Sequence, residues 1–114
     1  MRLSQFDTEH FTFKDYAILS LPESQLIWHG RNRKEVREWM TNANIITWDE
    51  HLQYMKTLKT RQDRIYYAVL KDDLIIGSIC LNPFNQKERE AELGNYIFPE
   101  FFRMGWGYLS AYEF

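Results

Sequence analysis

Cys80 is the only cysteine, so neither a disulfide framework nor a cysteine-rich metal site can form within one chain. No apolar run approaches the about 20 residues of a membrane span. Residues 1–7 (Met-Arg-Leu-Ser-Gln-Phe-Asp) lack the apolar stretch of a signal peptide. Basic residues do not cluster: the densest group is Arg31-Asn32-Arg33-Lys34 in a chain of net charge −2, too little for the electrostatic footprint of a nucleic-acid binder. His10 and His29 form no metal-ligand set with other residues at recognisable spacing. There is no repeat, low-complexity tract or linker. The expectation is one soluble cytoplasmic domain over residues 1–114, with no metal and with no nucleic-acid or membrane partner.

What is present is a globular composition, 45% hydrophobic and 26% charged, with a high aromatic share of 17%. Some rings line a site, or all fill a bulky core; composition leaves both open. Residues 1–10 read as a loose lead-in and 11–19 as a strand. Ser20-Leu21-Pro22-Glu23 has capping-box spacing, and a short helix through Leu26, Ile27 and Trp28 is expected to stop at Gly30. A second helix over 34–40 places Val36, Trp39 and Met40 on one side. Thr47-Trp48-Asp49-Glu50 is another capping box, opening a helix to about Thr60 with Trp48, Leu52, Met55 and Leu58 at helical intervals. Strands over 64–71 and 74–81 form a hairpin around Asp72-Asp73. A polar loop over 82–89 leads to the strand 90–97.

That strand runs into Met104-Gly105-Trp106-Gly107, a Gly-x-Gly turn that starts a helix. Amides at a helix N-terminus suit a phosphate or pyrophosphate, although glycines also serve ordinary turns. Alternation puts Glu90, Glu92, Gly94 and Tyr96 on one face of the strand and Ala91, Leu93, Asn95 and Ile97 on the other. A carboxylate there is either a general base, directly or through water, or part of a solvated face. Glu90 reads as solvated. Glu92 lies deeper and is the better base, and Tyr96 lies nearest the turn.

The hairpin, strand and turn resemble the GCN5-related N-acetyltransferase superfamily. Its cofactor motif, Arg/Gln-x-x-Gly-x-Gly/Ala, matches Phe102-Arg103-Met104-Gly105-Trp106-Gly107 in both glycines but not in the first position. A narrower pattern covers about residues 11 to 109: Arg31-Asn32, Trp39-Met40, Ile46, Glu50-His51-Leu52, Ile76-Gly77-Ser78-Ile79 and Leu93-Gly94-x-Tyr96. It is similar to the acetyltransferases of pseudaminic acid synthesis, which act on a UDP-linked 4-amino sugar for flagellin glycosylation. N-terminal acetyltransferases of ribosomal proteins share part of it.

The resemblance implies an α/β (α+β) fold: a mixed, mostly antiparallel sheet flanked by helices, present here as its N-terminal part. It implies acetyl-CoA as co-substrate, held by Tyr96, Ile97, Phe98, Arg103, Met104, Gly105, Trp106 and Gly107. It implies a sugar-nucleotide side shaped by Arg31, His51 and Cys80, and Glu92 and Tyr96 as the groups nearest the chemistry. Each has a plainer reading: Arg31 as a loop anchor, His51 as an ordinary polar helix residue, Cys80 as a small buried hydrophobe. Trp28, Trp39 and Trp48 read as core. Superfamily members continue with a further strand, helix and hairpin, so the chain is expected to be a piece of a longer protein, or a short form completed as a homodimer. A truncated, non-catalytic domain that binds a partner is the alternative outside enzymology.

Overall fold

The computed structural model describes residues 3–40, 43–60, 63–85, 90–102 and 104–114, with backbone alone for 83–85, 90 and 91. In chain order the elements are β1 (Gln5–Asp7), β2 (Thr12–Asp15), a 3-10 turn (Tyr16–Ile18), α1 (Leu21–Asn32), α2 (Lys34–Arg37), α3 (Trp48–Leu58), β3 (Ile65–Lys71), β4 (Leu74–Asn85), β5 (Glu90–Ile97), a second 3-10 turn (Pro99–Phe101) and α4 (Trp106–Glu113). The five strands lie in the order β1-β2-β3-β4-β5, and every pairing is antiparallel. No helix among the described residues is long and apolar enough to cross a membrane.

Strand alternation divides the core between the two faces of the sheet. One face carries Ala68, Leu70, Ile75 and Phe98 against Ile27 of α1 and Met55 and Leu58 of α3. The other carries Phe13, Tyr67, Val69, Ile76, Ile79 and Ile97, with Trp106, Leu109 and Ala111 of α4 packed onto it.

Both capping boxes form. Ser20 and Glu23 exchange bonds at the start of α1, and Thr47 and Glu50 do so at α3. The hairpin turn has Asp72 and Asp73 at φ 52° and 66°, the left-handed pair whose twist matches the flanking strands.

Several expectations are corrected. The lead-in contains a strand: Phe6 stacks on Phe13 at 5.0 Å and meets the Tyr67 ring at 5.4 Å. A single apolar residue among polar ones left no alternation to read. The strand over 11–19 ends early, because the Asp15 side chain accepts from the Ala17 amide at 2.9 Å and caps a 3-10 turn. Gly30 does not stop α1. It lies inside the helix because the Phe98 ring occupies the space of a β-carbon, which would sit 2.1 Å from Phe98 Cε1.

The second helix is one turn long. It buries Val36 and leaves Trp39 84% exposed, so the expected shared face is not made. The buried stripe of α3 is His51, Met55 and Leu58, with Trp48 beside it. β4 runs on to Asn85 through an irregularity between Leu81 and Phe84, where a loop was expected.

Candidate functional site

The glycine turn is shaped by backbone geometry. Gly105 has φ 76° and is the N-cap of α4, and a β-carbon there would meet nothing within 4 Å. Its left-handed conformation calls for glycine, while the space in front of the helix stays open. The first intrahelical bond is Leu109 N–H to the Gly105 carbonyl at 3.1 Å, and no side chain caps the end. The amides of Trp106, Gly107 and Tyr108 are therefore those a helix leaves unpaired at its positive end. Asn95 Nδ2 donates to the Gly107 carbonyl at 2.8 Å and fastens this turn to β5. A β-carbon on Gly107 would come within 3.3 Å of Ile97 Cγ1, so the second glycine lets helix and strand approach closely. Met104 is exposed, and Arg103 lies outside the described residues.

β5 is the last strand of the sheet, so its second edge has no strand partner among the described residues. The Phe98 N–H donates to the Ile76 carbonyl at 2.8 Å, in register with the pairs Gly77–Ile97 and Ser78–Tyr96. The antiparallel ladder then turns the backbone groups of Tyr96 and Phe98 toward β4 and those of Asn95 and Ile97 toward the open edge. The side chains of Ile97 and Phe98 belong to the core. Of Tyr96, Ile97 and Phe98, expected to hold the cofactor, only Ile97 has backbone groups facing outward, and Asn95 on the same strand joins it.

Tyr96 points to the α1/α3 face. It is the partly exposed member of a hydroxyl cluster that reaches into the core: Tyr16 Oη and Ser78 Oγ are hydrogen-bonded to each other, and both act on the Tyr96 phenol. Burial pushes the Tyr96 phenol up to about 12, while Tyr16, the Arg31 charge and Ser78 hold it lower. Burial raises Tyr16 further, helped by the Tyr96 phenol. Tyr96 thus keeps its proton at neutral pH and can donate it.

Two residue pairs along, on the same face, Cys80 lies opposite Gly94 across β4 and β5, and a β-carbon on Gly94 would lie 3.3 Å from Cys80 Sγ. Burial raises the thiol despite its contacts with Gly94 and Tyr66, so Cys80 is a neutral wall and not a nucleophile. Tyr66 accepts from Asn82 Nδ2 at 3.0 Å and meets the Tyr54 ring edge-on at 5.6 Å; Tyr54 in turn accepts from Arg64 Nη1 at 3.1 Å. Glu92 is exposed on β5, two residues from Gly94 and on the same face.

The structure brings Arg31, Cys80 and Tyr96 near one another, together with Tyr16, Ser78 and Tyr66. Sequence spacing does not show the last three. Ser78 and Tyr66 are ordinary strand residues, and Tyr16 reaches the group only because Asp15 ends β2. The apolar face expected opposite Glu92 is incomplete, with Leu93 47% exposed.

His51 lies elsewhere. It is 7% exposed in the α1/α3 seam and stacked on Trp48 at 5.5 Å, with Nε2 buried and without a hydrogen-bond partner among the described residues. Burial lowers its pKa from the ordinary 6.5, and the Ser24 backbone opposes this. The unfolded chain then takes up the proton more readily, so the stability His51 gives is complete above the ordinary value and is lost as pH falls through it. His51→Gln is expected to flatten the stability profile between about pH 7 and 5. Urea midpoints across that range test this; equal slopes in both proteins would contradict it.

His10 also departs from expectation. Glu113 accepts from Thr8 and from the backbone and ring of His10, and ligand atoms of Glu9, His10 and Glu113 lie within 4.8 Å of one another. Residues 103 apart carry no spacing signal. The bonds explain the group as an anchor of α4 on the β1–β2 turn.

The model of the acetyltransferase (GNAT) domain family matches residues 2–113. The chain belongs to this family. As a GNAT domain it is 30% identical over 87 residues to the acetyltransferase PseH of Campylobacter jejuni, covering 76% of this chain and 54% of that protein. The chain thus spans about half the length of the curated relatives it matches. The crystal structure of Campylobacter jejuni N-acetyltransferase PseH in complex with acetyl coenzyme A superposes with TM-score 0.65 and 24% identity, over 90% of this chain and 64% of that one. Spermidine N-acetyltransferase from Vibrio cholerae, in complex with CoA and spermine, has TM-score 0.73 and 19% identity, over 87% of this chain and 57% of that one. Fold alone does not fix the acceptor.

Proposed function

We propose that the chain is the acetyl-CoA-binding portion of an N-acetyltransferase that acylates the amine of a nucleotide-linked amino sugar. One observation carries the reading: the open edge of β5 leads directly into the left-handed Gly105 turn at the start of α4. The unpaired amides of Trp106, Gly107 and Tyr108 suit a pyrophosphate, and the outward groups of Asn95 and Ile97 suit an amide-bearing arm laid on as an added strand. Arg103 and Met104 directly precede this turn in the sequence. The thioester supplies the acetyl group.

The chain's own residues orient and move protons. Glu92 accepts the proton of the attacking amine, directly or through water, as the N–C bond forms and the C–S bond breaks. Tyr96 donates to the developing negative charge and returns a proton to the departing sulfur. Arg31, whose charge is felt at Tyr96, pairs with the acceptor's diphosphate. Cys80 and Gly94 form the neutral floor. Identity to PseH over most of the chain favours an amino sugar as acceptor.

The experiment offers labelled acetyl-CoA with either a UDP-linked 4-amino sugar or a ribosomal-protein N-terminal peptide. Label is expected in the sugar alone. Label in the peptide alone would replace the acceptor. Acetyl-CoA binding with label in neither would show a non-catalytic domain.

A further inference from the structure

Tyr16 and Ser78 are 6% and 2% exposed, and Tyr16 lies in a cluster whose other buried members, Ile27, Met55, Leu58 and Phe98 among them, are all apolar. Burying two hydroxyls there is not needed for packing. Replacing both partners of a buried bond by apolar groups of the same shape is close to neutral. What distinguishes the pair is its outlet. Ser78 sits opposite Tyr96 on the neighbouring strand, Tyr16 is hydrogen-bonded to Ser78, and both inner hydroxyls lie near enough to act on the Tyr96 phenol. Three hydroxyls carry three protons. Those of Tyr16 and Ser78 have only one another and Tyr96 as acceptors within the group, so the single proton with an exit is that of Tyr96. The groups facing Tyr96 are Tyr16 from the 3-10 turn, Ser78 and Cys80 from β4 and Arg31 from α1. None is a carboxylate that would draw the Tyr96 proton inward.

We infer that Tyr16, acting through Ser78, is a positioning residue for Tyr96: the two hydroxyls occupy the inner side of its oxygen and turn its O–H toward the cleft. This rests on the acetyl-transfer reading above. It makes Asp15 part of the same device, because the cap at Asp15 delivers Tyr16 to the group.

The test uses Tyr16→Phe and Ser78→Ala, each of which removes one hydroxyl and little volume, with Ser78→Thr as the variant that keeps it. Each removal is expected to lower kcat about 10- to 100-fold, the scale of a misdirected catalytic group, with KM for acetyl-CoA unchanged. The double variant should be no worse than the poorer single, and Ser78→Thr should restore activity. In protein labelled at the tyrosine ζ-carbon, the Tyr96 resonance should move in Tyr16→Phe and in Ser78→Ala and stay near its wild-type position in Ser78→Thr. A lower Tm with wild-type kcat and an unmoved Tyr96 resonance would overturn the inference by showing a merely structural role. If the wild-type chain binds no acetyl-CoA or transfers no acetyl group, the acetyl-transfer reading fails. The carbon resonance then still decides whether Tyr16 sets the Tyr96 hydroxyl.

Discussion

Gly105→Glu is expected to abolish the rise in Tm that acetyl-CoA gives the wild-type chain. Two effects act at this position. A side chain forced to φ 76° costs roughly 1–2 kcal/mol, which lowers the starting stability but does not by itself block a ligand. The larger effect is charge. The new carboxylate lies beside the free amides of Trp106, Gly107 and Tyr108, satisfies them itself and repels a pyrophosphate. At about 4 Å and the screening of a protein surface, each pair of like charges costs about 4 kcal/mol before relaxation. Binding about 100-fold weaker reduces the ligand's stabilisation from about 2.7 to about 0.4 kcal/mol at a concentration of 100 times the wild-type Kd. In a domain of this size that removes a shift of roughly 10 °C. Gly105→Asn separates the effects, since asparagine tolerates the left-handed region and carries no charge. It should lower the starting Tm and keep most of the shift. An undiminished shift in Gly105→Glu would place the pyrophosphate elsewhere.

The second large effect is expected at Gly77, where the obstacle is backbone. A β-carbon there would lie 2.1 Å from the Tyr96 carbonyl oxygen and 3.0 Å from Ile97 Cα. A flexible side chain could yield, but the main chain of the neighbouring strand can do so only by leaving its place. Gly77→Ala must therefore push β5 from β4 and loosen the flanking bonded pairs Ile76–Phe98 and Ser78–Tyr96. Overpacking of this kind costs about 3 kcal/mol or more, a large part of the stability of a small domain. The midpoint of urea unfolding should fall accordingly, and acetyl-CoA should stabilise the variant less, because the displaced strand carries both Tyr96 and the open edge. A midpoint equal to wild type would mean that β4 and β5 are not this close.

These two glycines also show what could be read from the sequence and what could not. Gly105 and Gly107 stand in a spacing that announces a strand-to-helix turn, so the turn, the strand before it and the family were legible. Gly77 and Gly30 carry no local signal. Each is fixed by a residue from another element, Tyr96 and Phe98, and is understood only when those elements are packed together. The same holds for the site. Tyr96 could be placed by strand alternation, because a period of two is local. Its partners Tyr16 and Ser78 lie 62 residues apart and meet through a cap that shortens β2. His51 has the reverse history. Its place in a family-like pattern suggested a ligand contact, while the helical stripe it shares with Met55 and Leu58 turns it into the seam between α1 and α3. Backbone polarity is equally hidden. Which of Asn95, Tyr96, Ile97 and Phe98 faces the open edge depends on the register with β4, which no sequence pattern gave.

The central claim is that acetyl-CoA lies along the free edge of β5 with its pyrophosphate on the first turn of α4. Amide hydrogen exchange of the wild-type chain, with and without acetyl-CoA, tests it residue by residue. Protection is predicted to rise at Asn95 and Ile97, whose groups face the edge, and at Trp106, Gly107 and Tyr108. Tyr96 and Phe98, already paired with β4, should change little. Saturating acetyl-CoA that leaves Asn95, Ile97 and the three helix amides exchanging at their free rates would contradict the account.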